Sequence, residues 1–363
     1  MPLDPQLRSS CKRFISGHLP KTQRDWLDSL ARSPLADMPM DIYGEGPAIA
    51  MLEQEVADLL GKEAAVFMHK GVVAQQAALR VWTDRTGRRT VALHSQSHID
   101  GDERNAYERL MGLVGVRVGK PWTPFTAHDL DGLNEQLGVI TVELPLRSAG
   151  FKLPTWEELT AISDWARARQ IPLHFDGARL WESAPFYGRS YAEISALADS
   201  VYVSFYKGLG ALAGCVLAGP ANFIAECRPW KTRLGGNIYT LFPYVLAAYE
   251  GLHYFVPKME SYHASACEIA TALVEALPVH VAPYPPHTNG FQLFLPASRT
   301  ALEHAAETIA VRDQEWLFGY PVETAIPNLT MIEIQTGDAT EAWTTGEIVG
   351  AFRKLLDLAA REE

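Results

Sequence analysis

Apolar and polar positions along this chain alternate between short buried runs and amphipathic stretches. AIAMLEQEVADLL, residues 48–60, sets Met51, Leu52, Val56, Leu59 and Leu60 on one face of a helix. Ala64-Ala-Val-Phe-Met then reads as a short buried strand, and Lys70-Gly-Val-Val opens a second helix. Thr90-Val-Ala-Leu-His, Val139-Ile-Thr-Val-Glu-Leu-Pro-Leu, Pro172-Leu-His-Phe and Val201-Tyr-Val-Ser-Phe-Tyr are further strands. A helix between the last two makes them consecutive parallel strands. From residue 256, GFQLFL and LTMIEIQ read as strands, and HASACEIATALVEAL and TALEHAAETIAVR as helices, of a second, smaller α/β domain. Residues 1–40 form an irregular arm, because Pro2, Pro5, Pro20, Pro34 and Pro39 break any long helix. The expected division is therefore an arm of 1–40, a large domain of 41–255 and a small one of 256–363.

Composition narrows the partners. A chain of 363 residues with 47% hydrophobic content can bury a large core in two domains. It holds no run of 18 apolar residues, and its first residues lack the apolar centre of a signal peptide. Cysteines at 11, 215, 227 and 267 show no paired spacing, as expected of reduced thiols in a cytoplasmic protein. A net charge of −11 argues against nucleic acid and anionic membranes. No HExxH or CxxC spacing points to a metal.

The chemistry gathers where two strands end. Parallel neighbours finish on the same rim of a sheet, and that rim is where α/β proteins bind ligands. Asp176 closes the first strand and Lys207 follows the second. A carboxylate and an amine there suit pyridoxal phosphate, which needs a lysine for its Schiff base and an acid for its ring nitrogen. The alternative is a plain ion pair at the strand ends. Gly208, Gly210 and Gly214 favour the ligand, since they let the backbone approach it and turn sharply.

HFDGARLWESA with SFYKGLGALAG resembles the threonine aldolase and β-eliminating lyase family. DIYGEGPAIAMLEQEVADLLGKEAAVF, residues 41–67, and SHIDGDERNAYERLMGL, residues 97–113, resemble two further blocks of it. The resemblance implies an aspartate-aminotransferase-like fold of type I, with a large seven-stranded mixed sheet, and a homodimer or homotetramer. It implies pyridoxal 5'-phosphate bound through Lys207, Asp176 on its ring nitrogen, His98 over the ring and Arg179 on the substrate carboxylate. Gly71, Val72 and Ser204 join the cofactor-binding positions, Glu103 is a candidate to orient His98, and Lys231 and Arg233 approach the partner subunit's site. The activity implied is cleavage of a β-hydroxy-L-amino acid such as L-threonine or L-allo-threonine to glycine and an aldehyde.

The chain also departs from that pattern. Lys70 and Val72 replace small hydroxylated residues beside Gly71, leaving backbone groups and the Lys70 charge for the phosphate. Leu144-Pro145-Leu146 replaces an asparagine-threonine-histidine run, and Tyr239 stands for an arginine. No arginine matches the family's late one near Asn328, so the carboxylate role falls to Arg179; Arg147 is a second candidate for a substrate contact. Arg13, Ser16 and His18 are either substrate neighbours or solvated loop residues. Two other readings stay open: β-elimination or aldol cleavage of a bulkier substrate, suggested by Tyr206, Tyr239 and the Leu144-Pro145-Leu146 loop, and a catalytically silent homologue.

Overall fold

The computed structural model describes residues 5–361. They divide into two compact units, one of residues 23–257, the other joining the chain up to Thr22 to the stretch from Lys258 onward.

The larger unit is built on a seven-stranded sheet: β1 (Ala64–Met68), β2 (Thr90–His94), β3 (Val114–Val118), β4 (Val139–Glu143), β5 (Leu173–Gly177), β6 (Ser200–Ser204) and β7 (Cys215–Gly219). Their spatial order is β1-β7-β6-β5-β4-β2-β3. β2 through β6 run parallel, while β7 is antiparallel to both its neighbours, so the sheet is mixed. Every residue of β5, β6 and β7 is buried. Strands covered by helices on both faces need apolar side chains at successive positions, which is why these read as runs without alternation. Trp82, on the Gly71–Thr86 helix, stacks on Phe223 with centroids 4.4 Å apart, and its indole N–H donates to Ser200 Oγ at 2.8 Å. His174, inside β5, bonds Ser200 Oγ and Gln75 Oε1, both at 2.8 Å. Burial pulls its pKa down to about 3, so it is a neutral core residue.

The smaller unit carries an antiparallel four-stranded sheet in the order Val322–Glu323, Thr330–Gln335, Gly290–Leu295, His280–Ala282. Helices Met259–Ala276, Arg299–Asp313 and Thr345–Ala359 supply its core with Ala266, Leu302, Phe352 and their neighbours.

The expected single arm of 1–40 is divided between the units. Arg13–Phe14 pairs in parallel with Glu315–Trp316, and Phe14 and Ile15 enter the smaller unit's core. Gln23–Ala31, a window without proline, forms a nine-residue helix in the larger unit, tied by Ser29 Oγ donating to Glu250 Oε2 at 2.8 Å. Arg13 is engaged structurally, 3.0 Å from Glu347 Oε1 and 3.8 Å over the Trp343 ring. Ser16 donates its hydroxyl to the His18 carbonyl at 2.9 Å.

Candidate active site

Register decides which groups share the rim. Asp176 pairs with Tyr202 across β5 and β6, and Glu143 pairs with Asp176 across β4 and β5, so three strand ends meet. Asp176 is 1% exposed. Its Oδ1 accepts the Ala178 N–H at 3.2 Å, while Oδ2 is buried with no hydrogen-bond partner. Buried carboxylate oxygens are seldom left so, because an unmet acceptor is costly, and one at a strand rim invites a ligand donor. Lys207 lies three residues past β6, within electrostatic reach of Asp176, Glu143 and Glu182. Burial draws its amine down most, and Arg179 pushes the same way against the three carboxylates. A lowered amine is a better nucleophile at neutral pH.

His98 is held from two sides. Its backbone N–H donates to Glu143 Oε2 at 2.7 Å, and its Nδ1 sits 3.3 Å from Glu103 Oε1. Glu103 is buried and receives Gln76 Nε2 at 3.0 Å. Burial alone would lower the imidazole pKa; the Glu103 bond and the Asp176 charge outweigh it, so the net shift is upward from 6.5. Where neutral His98 acts as a base, activity falls as pH drops through that raised value. Glu103→Gln removes the charge that raises it, so the acidic limb of the kcat/KM profile moves to lower pH. A limb that stays in place would show that His98 is not the group titrating.

Arg179 opens the Leu180–Tyr187 helix, its guanidinium 5.4 Å from the Phe151 ring centroid. Glu182, in that helix's first turn, is 2% exposed and was not legible as a site residue. Its Oε1 is packed against Gly208, where a Cβ would collide with it. Its Oε2 is buried without a partner. Burial raises Glu182 from 4.5 to about 7, although Arg179 and Lys207 oppose this. A raised acid binds its proton more tightly folded than unfolded, so stability is lost as pH climbs through that interval. At 1.36 kcal/mol per unit the loss is at most about 3 kcal/mol. Glu182→Gln keeps the side chain's shape against Gly208 and is expected to remove this pH dependence, measured by urea unfolding at pH 5 and pH 8.

The Gly71–Thr86 helix begins at the same rim. A Cβ at Gly71 would strike the Tyr202 hydroxyl, so only glycine fits there. Two expected positions are buried within the chain. Ser204, fully buried, donates its hydroxyl to the Ala178 carbonyl at 2.7 Å, which braces β6 against β5 and spends its hydrogen away from any ligand. Lys231 turns into its own chain and is 5% exposed; Arg233 is exposed, 4.6 Å from the Trp230 ring centroid. Glu143, read only as a strand end, also accepts the Arg147 N–H at 3.3 Å, fixing the loop after β4.

A mixed seven-stranded sheet whose rim joins a buried carboxylate, a lowered lysine amine and a glycine-started helix defines the type I fold of pyridoxal phosphate enzymes. The sequence model of the beta-eliminating lyase family matches residues 31–296, and the chain belongs to that family. A Listeria monocytogenes crystal structure, provisionally named an L-allo-threonine aldolase, is 34% identical and superposes with a TM-score of 0.91 over 97% of this chain and 98% of that one. An Exiguobacterium sp. 255-15 structure, provisionally named an aromatic amino acid beta-eliminating lyase/threonine aldolase, is 34% identical with a TM-score of 0.91, covering 97% and 99%. The low specificity L-threonine aldolase of Escherichia coli K12 is 27% identical over 269 residues, 70% of this chain and 77% of that protein.

Proposed function

We propose that this protein is a pyridoxal-phosphate-dependent carbon–carbon lyase that cleaves a β-hydroxy-L-amino acid of the threonine type to glycine and an aldehyde. The unpartnered Asp176 Oδ2 carries this reading, because a protonated ring nitrogen is the donor it lacks. Lys207, with its lowered amine, is the residue that would hold the cofactor. When bound, pyridoxal phosphate supplies the electron sink that receives the pair released as the Cα–Cβ bond breaks.

The remaining steps belong to the chain's own groups. Arg179 receives the substrate carboxylate and so fixes the amino acid at the rim. His98 takes the β-hydroxyl proton, directly or through a water, as the bond breaks. Glu103 and Glu143 keep its ring and backbone in place, so the base is positioned before the substrate arrives. Asp176 holds the proton on the ring nitrogen throughout. Of the residues that suggested a bulkier substrate, Leu144 and Leu146 are buried, and exposed Tyr239 packs edge-on to Tyr43 at 5.3 Å.

Assembly as a homodimer or homotetramer is supported by an exposed apolar group. Met40, Ile42, Tyr43, Tyr239 and Phe242 lie on two segments joined by the Tyr43 N–H donating to the Tyr239 carbonyl at 2.8 Å. All four cysteines are free thiols, which suits the cytoplasm. No described helix is long and apolar enough to cross a membrane.

Incubation with L-threonine, L-allo-threonine and β-elimination substrates tests the reaction. Glycine and aldehyde in equal amounts are expected from the first two. Keto acid and ammonia without glycine would replace this reading by elimination.

A further inference from the structure

The phosphate end of the site is not built as its neighbours in sequence suggest. Lys70 is exposed, its ammonium 4.8 Å from the Tyr206 ring centroid, and positions 70 and 72 bring no hydroxyl. A different set of groups meets at the start of the Gly71–Thr86 helix. The Tyr202 and Tyr206 hydroxyls lie 3.4 Å apart, and both stand against Gly71, 2.2 and 3.1 Å from where its Cβ would lie. Two hydroxyl hydrogens share that one contact, so one O–H is left for an incoming acceptor.

Lys231 is the independent observation. The Ala221–Arg233 helix packs on the Gly71–Thr86 helix and turns this lysine inward. Its ammonium stands 2.5 Å from where a Gly44 Cβ would lie, and its stem flanks Gly236 together with Val73. Among the described residues the ammonium makes no hydrogen bond or ion pair. The carboxylates that act on it from further off are engaged elsewhere: Asp41 accepts the Leu241 N–H, and Glu53 accepts the Phe67 N–H and Arg228. Its charge reaches His69, just before the helix, and Cys215, which also feels Lys207. His69 Nδ1 is buried without a partner as well. Burial, above all, draws the Lys231 amine down. An ammonium buried without a counter-ion is costly unless an anion arrives to meet it.

We propose that Lys231, from the same chain, is the cation of the cofactor's phosphate site, completed by the Tyr202–Tyr206 hydroxyl pair and the Gly71 helix start. A phosphate dianion there supplies the counter-charge the fold omits, and the hydroxyl pair takes over from the residues missing at 70 and 72. This rests on the pyridoxal phosphate reading above.

The test compares pyridoxal phosphate with phosphate-free pyridoxal, each titrated into cofactor-free wild type, Lys231→Met and Tyr206→Phe and followed by the visible absorbance of bound cofactor. Lys231→Met should weaken pyridoxal phosphate by about 10- to 100-fold and Tyr206→Phe by about tenfold, with pyridoxal changed by less than about twofold. Lys231→Met should also raise the thermal midpoint of the cofactor-free protein, since a buried charge has gone. Undiminished pyridoxal phosphate affinity in Lys231→Met, or equal weakening of both compounds, overturns the proposal. Wild type binding both compounds equally would overturn it too, leaving the cofactor reading intact. Wild type binding neither would overturn the cofactor reading itself, and this inference with it.

Discussion

Lys207→Ala is expected to abolish both lyase activity and the visible absorbance of lysine-bound cofactor while the protein stays folded. No neighbouring group can replace the amine: Arg179 is a guanidinium, and the other groups acting on Lys207 are carboxylates. The loss should be roughly 10⁴-fold or more, about 5.4 kcal/mol in barrier height. The fold should tolerate the change, because the amine is held in an environment that already disfavours its charge. Its thermal midpoint without cofactor should therefore equal or exceed that of wild type. Turnover of L-threonine by the alanine variant at the wild-type rate would remove Lys207 from the chemistry.

The second large effect is expected at Asp176. Asp176→Asn preserves shape and leaves Oδ1 to accept the Ala178 N–H, but an amide cannot hold a proton on the ring nitrogen. The variant should bind cofactor at full stoichiometry and lose activity by about ten- to a hundredfold, the 1.5–3 kcal/mol that one charge-assisted bond contributes. Because Glu143 stands opposite Asp176 in register, removing one carboxylate also relieves the like-charge repulsion that, after burial, raises Glu143. Steady-state kinetics with cofactor quantitation separates the two consequences. An asparagine variant that turns over like wild type would deny Asp176 its role.

Both residues were legible because a buried parallel strand is an apolar run, and a lone charge at its end has few reasons to be there. The same logic located β1, β2, β4 and the start of the Gly71–Thr86 helix. Val114–Val118 was not legible, since an edge strand with exposed Val114 and Arg117 shows little periodicity. The Thr345–Ala359 helix carried an unused signal in Thr344 and Glu347, which form a capping box ahead of an apolar face.

Side-chain direction was the harder matter. Ser204 precedes Lys207 by three residues, but only the structure shows its hydroxyl spent on Ala178. Glu182 has the spacing of a solvated helix residue, yet Gly208 packs on it. Lys231 sits in KTRLGG, which reads as a basic surface loop. Packing between two helices turns that one side chain inward while Arg233, two residues on, stays in solvent. Periodicity reports which face is buried, not where a long side chain ends.

Borohydride reduction of the cofactor-loaded protein, followed by peptide mass mapping, tests the central claim most directly. The pyridoxyl mass should appear on the peptide containing Lys207, at one per chain, and be absent from Lys207→Ala. A label on another lysine, or no label after loading, would contradict it.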